Sequence, residues 1–145
     1  MKALTHLNNK FSVRNRFKHL DLHTDFALVL CARKGVKTKL FYDFAETINM
    51  PEKSLAGIIN LSARTLSNYK AQQKVLEPVY SEHLLKLIHL FEKGESIFGN
   101  IDEFNYWLQK PIWGTKDTPL AWLETPGGVD LVAAEVDKLS QGYPV

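Results

Sequence analysis

Leu55-Ala56-Gly57-Ile58-Ile59-Asn60-Leu61-Ser62-Ala63-Arg64-Thr65-Leu66-Ser67-Asn68-Tyr69 is the segment with the clearest structural signal in this chain. Two short helices crossing through a tight turn need a small residue where they touch, and Ala56 supplies it. Leu55, Ile59, Leu61, Leu66 and Tyr69 fall at spacings that lock such a pair together. The turn needs a position that accepts a left-handed backbone, and asparagine, here Asn60, is the usual substitute for glycine there. Ser62 is placed to cap the second helix. The pattern is that of a helix-turn-helix.

Ser62, Arg64, Thr65, Ser67, Asn68 and Lys70 are left at the start and on the outer side of the second helix, with Ala63 beside them. Arginine, asparagine, serine and threonine are residue types that reach base edges and phosphates in the major groove. A plain helical hairpin with solvated polar residues fits the same spacing. Arg64 and Lys70 are the helix's only cations, so one chain neutralises few phosphates. A dimer, or basic residues such as Arg14, Arg16 and Lys18, would have to add to them.

Working outward, the remaining periodicity is helical and the fold class is all-α. A helix is predicted from Asp21 to Lys34, dense in apolar residues at Phe26, Leu28, Val29 and Leu30 and stopped at Gly35. Another covers Thr38 to Ile48, with Leu40, Phe41, Phe44, Ala45 and Ile48 on one face. Pro51 opens the next. Ser81 is a candidate N-cap for a long helix to about Phe98, its stripe formed by Leu84, Leu87, Ile88, Phe91 and Phe98. A short helix follows from Ile101 to about Gln109. Thr118-Pro119 and Thr125-Pro126 repeat one device, a capping threonine before proline at the first helical position. The last helix carries Val129, Val132, Ala133, Val136 and Leu139, and ends at Gly142 and Pro144. No stretch alternates at period two for long enough to demand a sheet. The expected organisation is an N-terminal helical extension over 1–39, a helix-turn-helix region over 40–80 and a C-terminal helical domain over 81–145.

A chain of 145 residues buries roughly 70% of its unfolded surface. No segment approaches the ~20 apolar residues of a membrane span, and the first ten residues lack the apolar run of a signal peptide. The expected compartment is therefore cytoplasmic. Cys31, the only cysteine, falls in an apolar stretch and is expected to be a buried, inert thiol. The net charge of +2 is unevenly spread. Residues 1–50 hold nine Lys/Arg against four Asp/Glu, and residues 101–145 hold three against seven. A basic front and an acidic back fit a chain that meets phosphates at one end and another partner at the other.

Nothing reads as a catalytic constellation, and no cofactor site is apparent. There is no glycine-rich phosphate loop, serine elbow or Cys/His pair at workable spacing. His19 and His23 share a helix face but have no third ligand at a matching distance. Asp130, Glu135 and Asp137 are expected on the solvent side of the last helix. Trp107 and Trp122 are assigned to packing. Trp113, beside Pro111 and Gly114, is the better interface anchor. Gly127 and Gly128 in a first helical turn cost about 1 kcal/mol each relative to alanine, so another element approaching the backbone closely is the expected compensation.

The ordered set Leu61-Ser62-Ala63-Arg64-Thr65-Leu66, Leu76, Ser81, Ile97-Phe98-Gly99, Trp107-Leu108, Pro111, Thr118-Pro119-Leu120, Leu123, Thr125, Gly128, Val132, Leu139 and Gly142 resembles the Xre/MbcA/ParS antitoxins of bacterial type II toxin–antitoxin modules. The resemblance covers about residues 40–145. It implies a homodimer whose C-terminal domain binds a RES-type toxin, an enzyme that consumes NAD or uses it to ADP-ribosylate a target. Such antitoxins cover the toxin's nucleotide pocket, often with their own C-terminus, and commonly repress their own promoter. With the residue reading above, the candidates for toxin contact are Trp113, Gly127, Gly128, Gln141, Gly142, Tyr143, Pro144 and Val145. Many relatives carry two arginines where this chain has Asn68 and Tyr69, and arginine where it has Lys86, which weakens the case for strong promoter binding. Two other readings remain: a stand-alone helix-turn-helix regulator whose C-terminal part only dimerises, and a small enzyme with an unrecognised site.

Overall fold

The computed structural model describes residues 12–142, and among them every regular element is helical. In chain order these are α1 (Val13–Arg16), α2 (Asp25–Lys34), α3 (Thr38–Thr47), α4 (Glu52–Ile58), α5 (Ala63–Ala71), α6 (Pro78–Phe98) and α7 (Ile101–Leu108). A 3-10 helix (Pro119–Glu124) and α8 (Pro126–Ser140) complete the chain.

The fold is organised on α6. Its 21 residues bury Leu84, Leu85, Leu87, Ile88, Leu90 and Phe91 on almost every side, as expected of a helix that other helices surround. α1, α2, α7 and α8 pack directly on it, and α3, α4 and α5 pack on one another beside it. An aromatic chain crosses the core through edge-on contacts, from Phe17 to Phe44 to Phe91 to Phe104. Phe98 and Trp107 then close it at the α7 end. The buried apolar residues, Ile112 apart, form one continuous cluster.

α3, α4 and α5 end in the same way. Asn49, Asn60 and Gln73 take positive φ, and the amide two residues past each C-cap returns to a carbonyl of the last turn (Met50 to Ala45, Leu61 to Ala56, Lys74 to Tyr69). These are Schellman closures made without glycine. They give the tight reversals that stack α3, α4 and α5. Lys37 and Val75 form an isolated bridge, and Val36 and Leu76 bond across the same junction.

Several sequence expectations are corrected. α2 begins at Asp25 because Thr24 caps it, its hydroxyl accepting from the Ala27 amide. Leu28 and Ala32 face α6, whereas Phe26, Val29 and Leu30 lie outside. Cys31 is only half-buried. α6 starts at Pro78, so Ser81 is no cap. Its fully buried hydroxyl accepts from the Val36 amide and donates to the Leu76 carbonyl, both at 3.0 Å, joining α6 to the two segments before it. Thr118 and Thr125 do cap as expected, although the first opens a 3-10 helix. Glu135 is buried, and Asp130 and Asp137 pair with Lys86 and Lys93 on α6 at 2.8 and 2.9 Å. Asp130 and Asp137 therefore fasten α8 to α6.

Candidate nucleic-acid and partner interfaces

α4 and α5 form the helix-turn-helix, with Ala56 and Leu55 buried in the joint and Leu66 facing inward from α5. Asn60 takes φ 64° in the turn, and its side-chain amide donates to the Glu124 carbonyl at 3.1 Å. This bond attaches the turn to the 3-10 helix of the C-terminal part.

The predicted recognition residues separate into two groups. Arg64, Ser67 and Asn68 are exposed at spacings of three and four, and their side chains engage nothing among the described residues. These three are free for a ligand. Ser62 and Thr65 are occupied with each other. The Ser62 hydroxyl accepts from the Thr65 amide at 3.0 Å and donates to the Thr65 hydroxyl at 2.8 Å. Their role is to hold the N-terminus of α5. Lys70 lies over the Tyr42 ring at 4.3 Å, a contact a phosphate would have to compete with.

The other expected cations are also divided. Arg16 is held by Asp43 at 3.1 Å and Glu46 at 2.6 Å, with Thr47 accepting as well. It ties α1 to α3 and is not a spare positive charge. Arg14 and Lys18 are exposed and line a cleft of about 620 Å³ against His89, Glu92 and Lys93 of α6. Lys86 is committed to Asp130, so the absence of arginine there concerns the joint between α6 and α8. The sequence reading missed Lys74, which stacks on the Tyr69 ring just after α5. Tyr69 donates to Glu77 at 2.5 Å. That bond lowers the Glu77 carboxyl and raises the Tyr69 phenol, and places a negative charge near the end of α5.

The C-terminal part presents two tryptophans side by side. Trp113 and Trp122 meet edge to face at 5.3 Å and are 40% and 37% exposed. Trp122, expected to be packing, is therefore as available as Trp113. Trp113 sits at φ 57°, a region bulky residues rarely enter. Its indole hydrogen-bonds the Glu135 carboxylate, the main reason that carboxyl is held below its ordinary range, with Lys138 adding to it. Trp107 packs in the core against Phe98 and Phe104, as expected.

The two glycines of α8 differ. Gly127 is exposed, and a side chain there would meet nothing. Gly128 is buried, and a Cβ on it would lie 1.7 Å from the Trp122 carbonyl oxygen. The expected close approach is real, but it comes from within the chain. Gly128 belongs to the packing beneath Trp122 and is not itself presented to a partner. Gln141 and Gly142 are exposed just past the end of α8. Tyr143, Pro144 and Val145 lie outside the described residues.

A helix-turn-helix with three free polar side chains, joined to a helical unit that exposes paired tryptophans, defines a binding protein with two faces. Residues 31–89 match the antitoxin Xre-like helix-turn-helix domain. Residues 93–142 match the antitoxin Xre/MbcA/ParS C-terminal toxin-binding domain. Together the matches cover three-quarters of the chain, and the protein belongs to this family of antitoxins. No curated protein matches it. Among the described residues, no helix is long and apolar enough to cross a membrane.

Proposed function

We propose that this antitoxin neutralises a RES-type toxin, one that degrades NAD or transfers its ADP-ribose, by covering the toxin's active site. It also binds its own operon promoter as a two-fold pair of chains and represses it. The observation carrying the first part is the exposed Trp113–Trp122 pair inside the toxin-binding domain. Tryptophan gives large contact area at interface centres. Gly127, Gln141 and Gly142 are exposed in the same domain, and toxin contact is assigned to them and to Tyr143, Pro144 and Val145. The free Arg64, Ser67 and Asn68 supply the operator contact. Two chains double the few phosphate contacts each α5 offers and match a two-fold operator.

Growth of cells expressing the neighbouring reading frame, with and without this chain, tests the reading. The expected result is arrest relieved by the antitoxin, recovery of the two proteins as one complex, and a fall in cellular NAD or labelled ADP-ribosyl protein only when the antitoxin is absent. A harmless neighbour, together with tight operator binding by the chain alone, would refute this reading and favour the stand-alone regulator.

A further inference from the structure

The last carbonyls of a helix have no amide of their own helix to accept from, and the 3-10 helix that carries Trp122 ends in this way. Three consecutive carbonyls at its end meet three different elements. The Trp122 oxygen stands so close to Gly128 of α8 that a Cβ there would lie 1.7 Å away. The Leu123 oxygen faces Nε2 of His83 on α6 at 2.8 Å. The Glu124 oxygen accepts from the Asn60 side chain in the α4–α5 turn at 3.1 Å. A carbonyl only accepts, so His83 carries its proton on Nε2 and is the donor. His83 is 3% exposed and Leu123 fully buried, so water offers this carbonyl no substitute partner.

We propose that His83 is a positioning residue for toxin capture: its bond fixes the 3-10 helix at the residue after Trp122 and so holds that indole against Trp113. The inference rests on the reading of the Trp113–Trp122 pair as the toxin contact. The three holds do different things. Gly128 limits how closely the 3-10 helix approaches α8, and the Asn60 bond is exposed. An exposed bond is readily exchanged for one to water, whereas a buried acceptor left alone bears its whole desolvation cost. The His83 bond is the buried one, and it comes from the helix on which the fold is organised. Without it, the Leu123 carbonyl regains a partner only by turning toward solvent, and the backbone of Trp122 turns with it. The arrangement that fits the toxin is then one of several, and apparent affinity falls with its share.

The test titrates the full chain with the toxin encoded by the neighbouring reading frame, by calorimetry, beside the near-ultraviolet dichroism of the tryptophans. His83→Leu removes the donor and keeps a bulky side chain. It should weaken toxin binding about tenfold and diminish the tryptophan signal, with helical content and operator affinity as in wild type. His83→Gln keeps an N–H donor where Nε2 lies and should restore both. In a Trp122→Ala background, His83→Leu should add no further loss, because it acts through that indole. A full additional loss there, or equal losses in His83→Leu and His83→Gln, would overturn the proposal. The Nε2 proton of His83 in isotope-labelled wild type gives a reading that no variant's folding affects. It should be protected from solvent exchange, both free and toxin-bound, and fast exchange would overturn the bond. Undiminished toxin binding by Trp122→Ala would refute the tryptophan surface, and this inference with it. A weakened Trp122→Ala beside an unaffected His83→Leu would refute the inference alone.

Discussion

Replacing Gly128 with alanine tests how the tryptophan surface is supported. Glycine inside a helix ordinarily costs about 1 kcal/mol against alanine, so propensity alone makes Gly128→Ala stabilising. The structure reverses the sign. The added Cβ would stand 1.7 Å from the Trp122 carbonyl oxygen and 2.8 Å from its carbon. Carbon–oxygen contacts settle near 3.3 Å, so about 1.5 Å must be found by moving backbone. Overpacking costs typically 1–3 kcal/mol, and a backbone collision belongs at the upper end. Net of the propensity gain, Gly128→Ala should destabilise by about 2 kcal/mol. Gly127→Ala, with nothing within 4 Å, is the matched control and should stabilise by up to about 1 kcal/mol. In a domain of this size the two variants should melt about 10 °C apart, measurable by thermal unfolding at one pH and concentration. Gly128→Ala should also alter the near-ultraviolet dichroism of the Trp113–Trp122 pair, because Trp122 carries the displaced carbonyl. Equal melting temperatures with unchanged tryptophan signals would refute the argument.

Arg64→Ala should weaken specific operator binding by about 1–3 kcal/mol in a gel-shift titration, and Lys70→Ala less, since Lys70 already stacks on Tyr42. Equal losses would show that the stacking contact does not restrain Lys70. Deleting Gly142 to Val145 should abolish toxin neutralisation in the growth assay while leaving fold and operator binding intact, because α8 ends at Ser140; full protection by the truncated chain would remove the tail from the mechanism. Burial lowers the His83 pKa below histidine's usual 6.5, although its bond to the Leu123 carbonyl opposes the shift. The unfolded chain then takes up the proton first as pH falls. Stability is therefore whole above about pH 6.5 and declines below it. His83→Gln should flatten part of that decline in urea midpoints between pH 7.5 and 5, with the remainder due to His89, which is shifted in the same direction; an undiminished slope would exclude His83.

Chain reversals were legible in the sequence because their causes are local. Thr118 and Thr125 cap within three residues, and Asn60 marks its turn by tolerating the backbone it adopts. Periodicity separated helix from strand throughout. It did not say which side of α2 would be covered, since Phe26, Val29 and Leu30 look like core until Leu28 and Ala32 are found to be the buried ones. Ser81 was misread for a related reason. A serine near a helix start is a cap by composition, but Pro78 begins the helix, and the hydroxyl's partners at Val36 and Leu76 are set by tertiary packing. Arg16 and Glu135 look solvated in sequence because their partners, Asp43 and Trp113, lie more than twenty residues away. For the site, residue type identified the outward face of α5, while only geometry separated the free Arg64, Ser67 and Asn68 from the occupied Ser62, Thr65 and Lys70.

Asn60 brings the two halves together, and its two contributions can be separated. Its backbone is left-handed, which costs a non-glycine residue about 1–2 kcal/mol, and its side chain bonds the Glu124 carbonyl two residues past Trp122. Asn60→Gly keeps the turn, relieves that strain and loses the bond, worth about 1 kcal/mol. The two effects nearly cancel, so stability should change little. Asn60→Ala loses the bond and retains a left-handed position without the local polar contacts that help asparagine occupy it. It should cost about 2 kcal/mol. If the bond positions the 3-10 helix, both variants should shift the Trp122 environment alike despite their different stabilities, as read by tryptophan fluorescence in the folded range. A signal that follows stability, changed in Asn60→Ala and untouched in Asn60→Gly, would mean that the turn conformation alone matters. The helix-turn-helix and the tryptophan surface would then be joined by the packing of α4 on the 3-10 helix and not by the Asn60 bond.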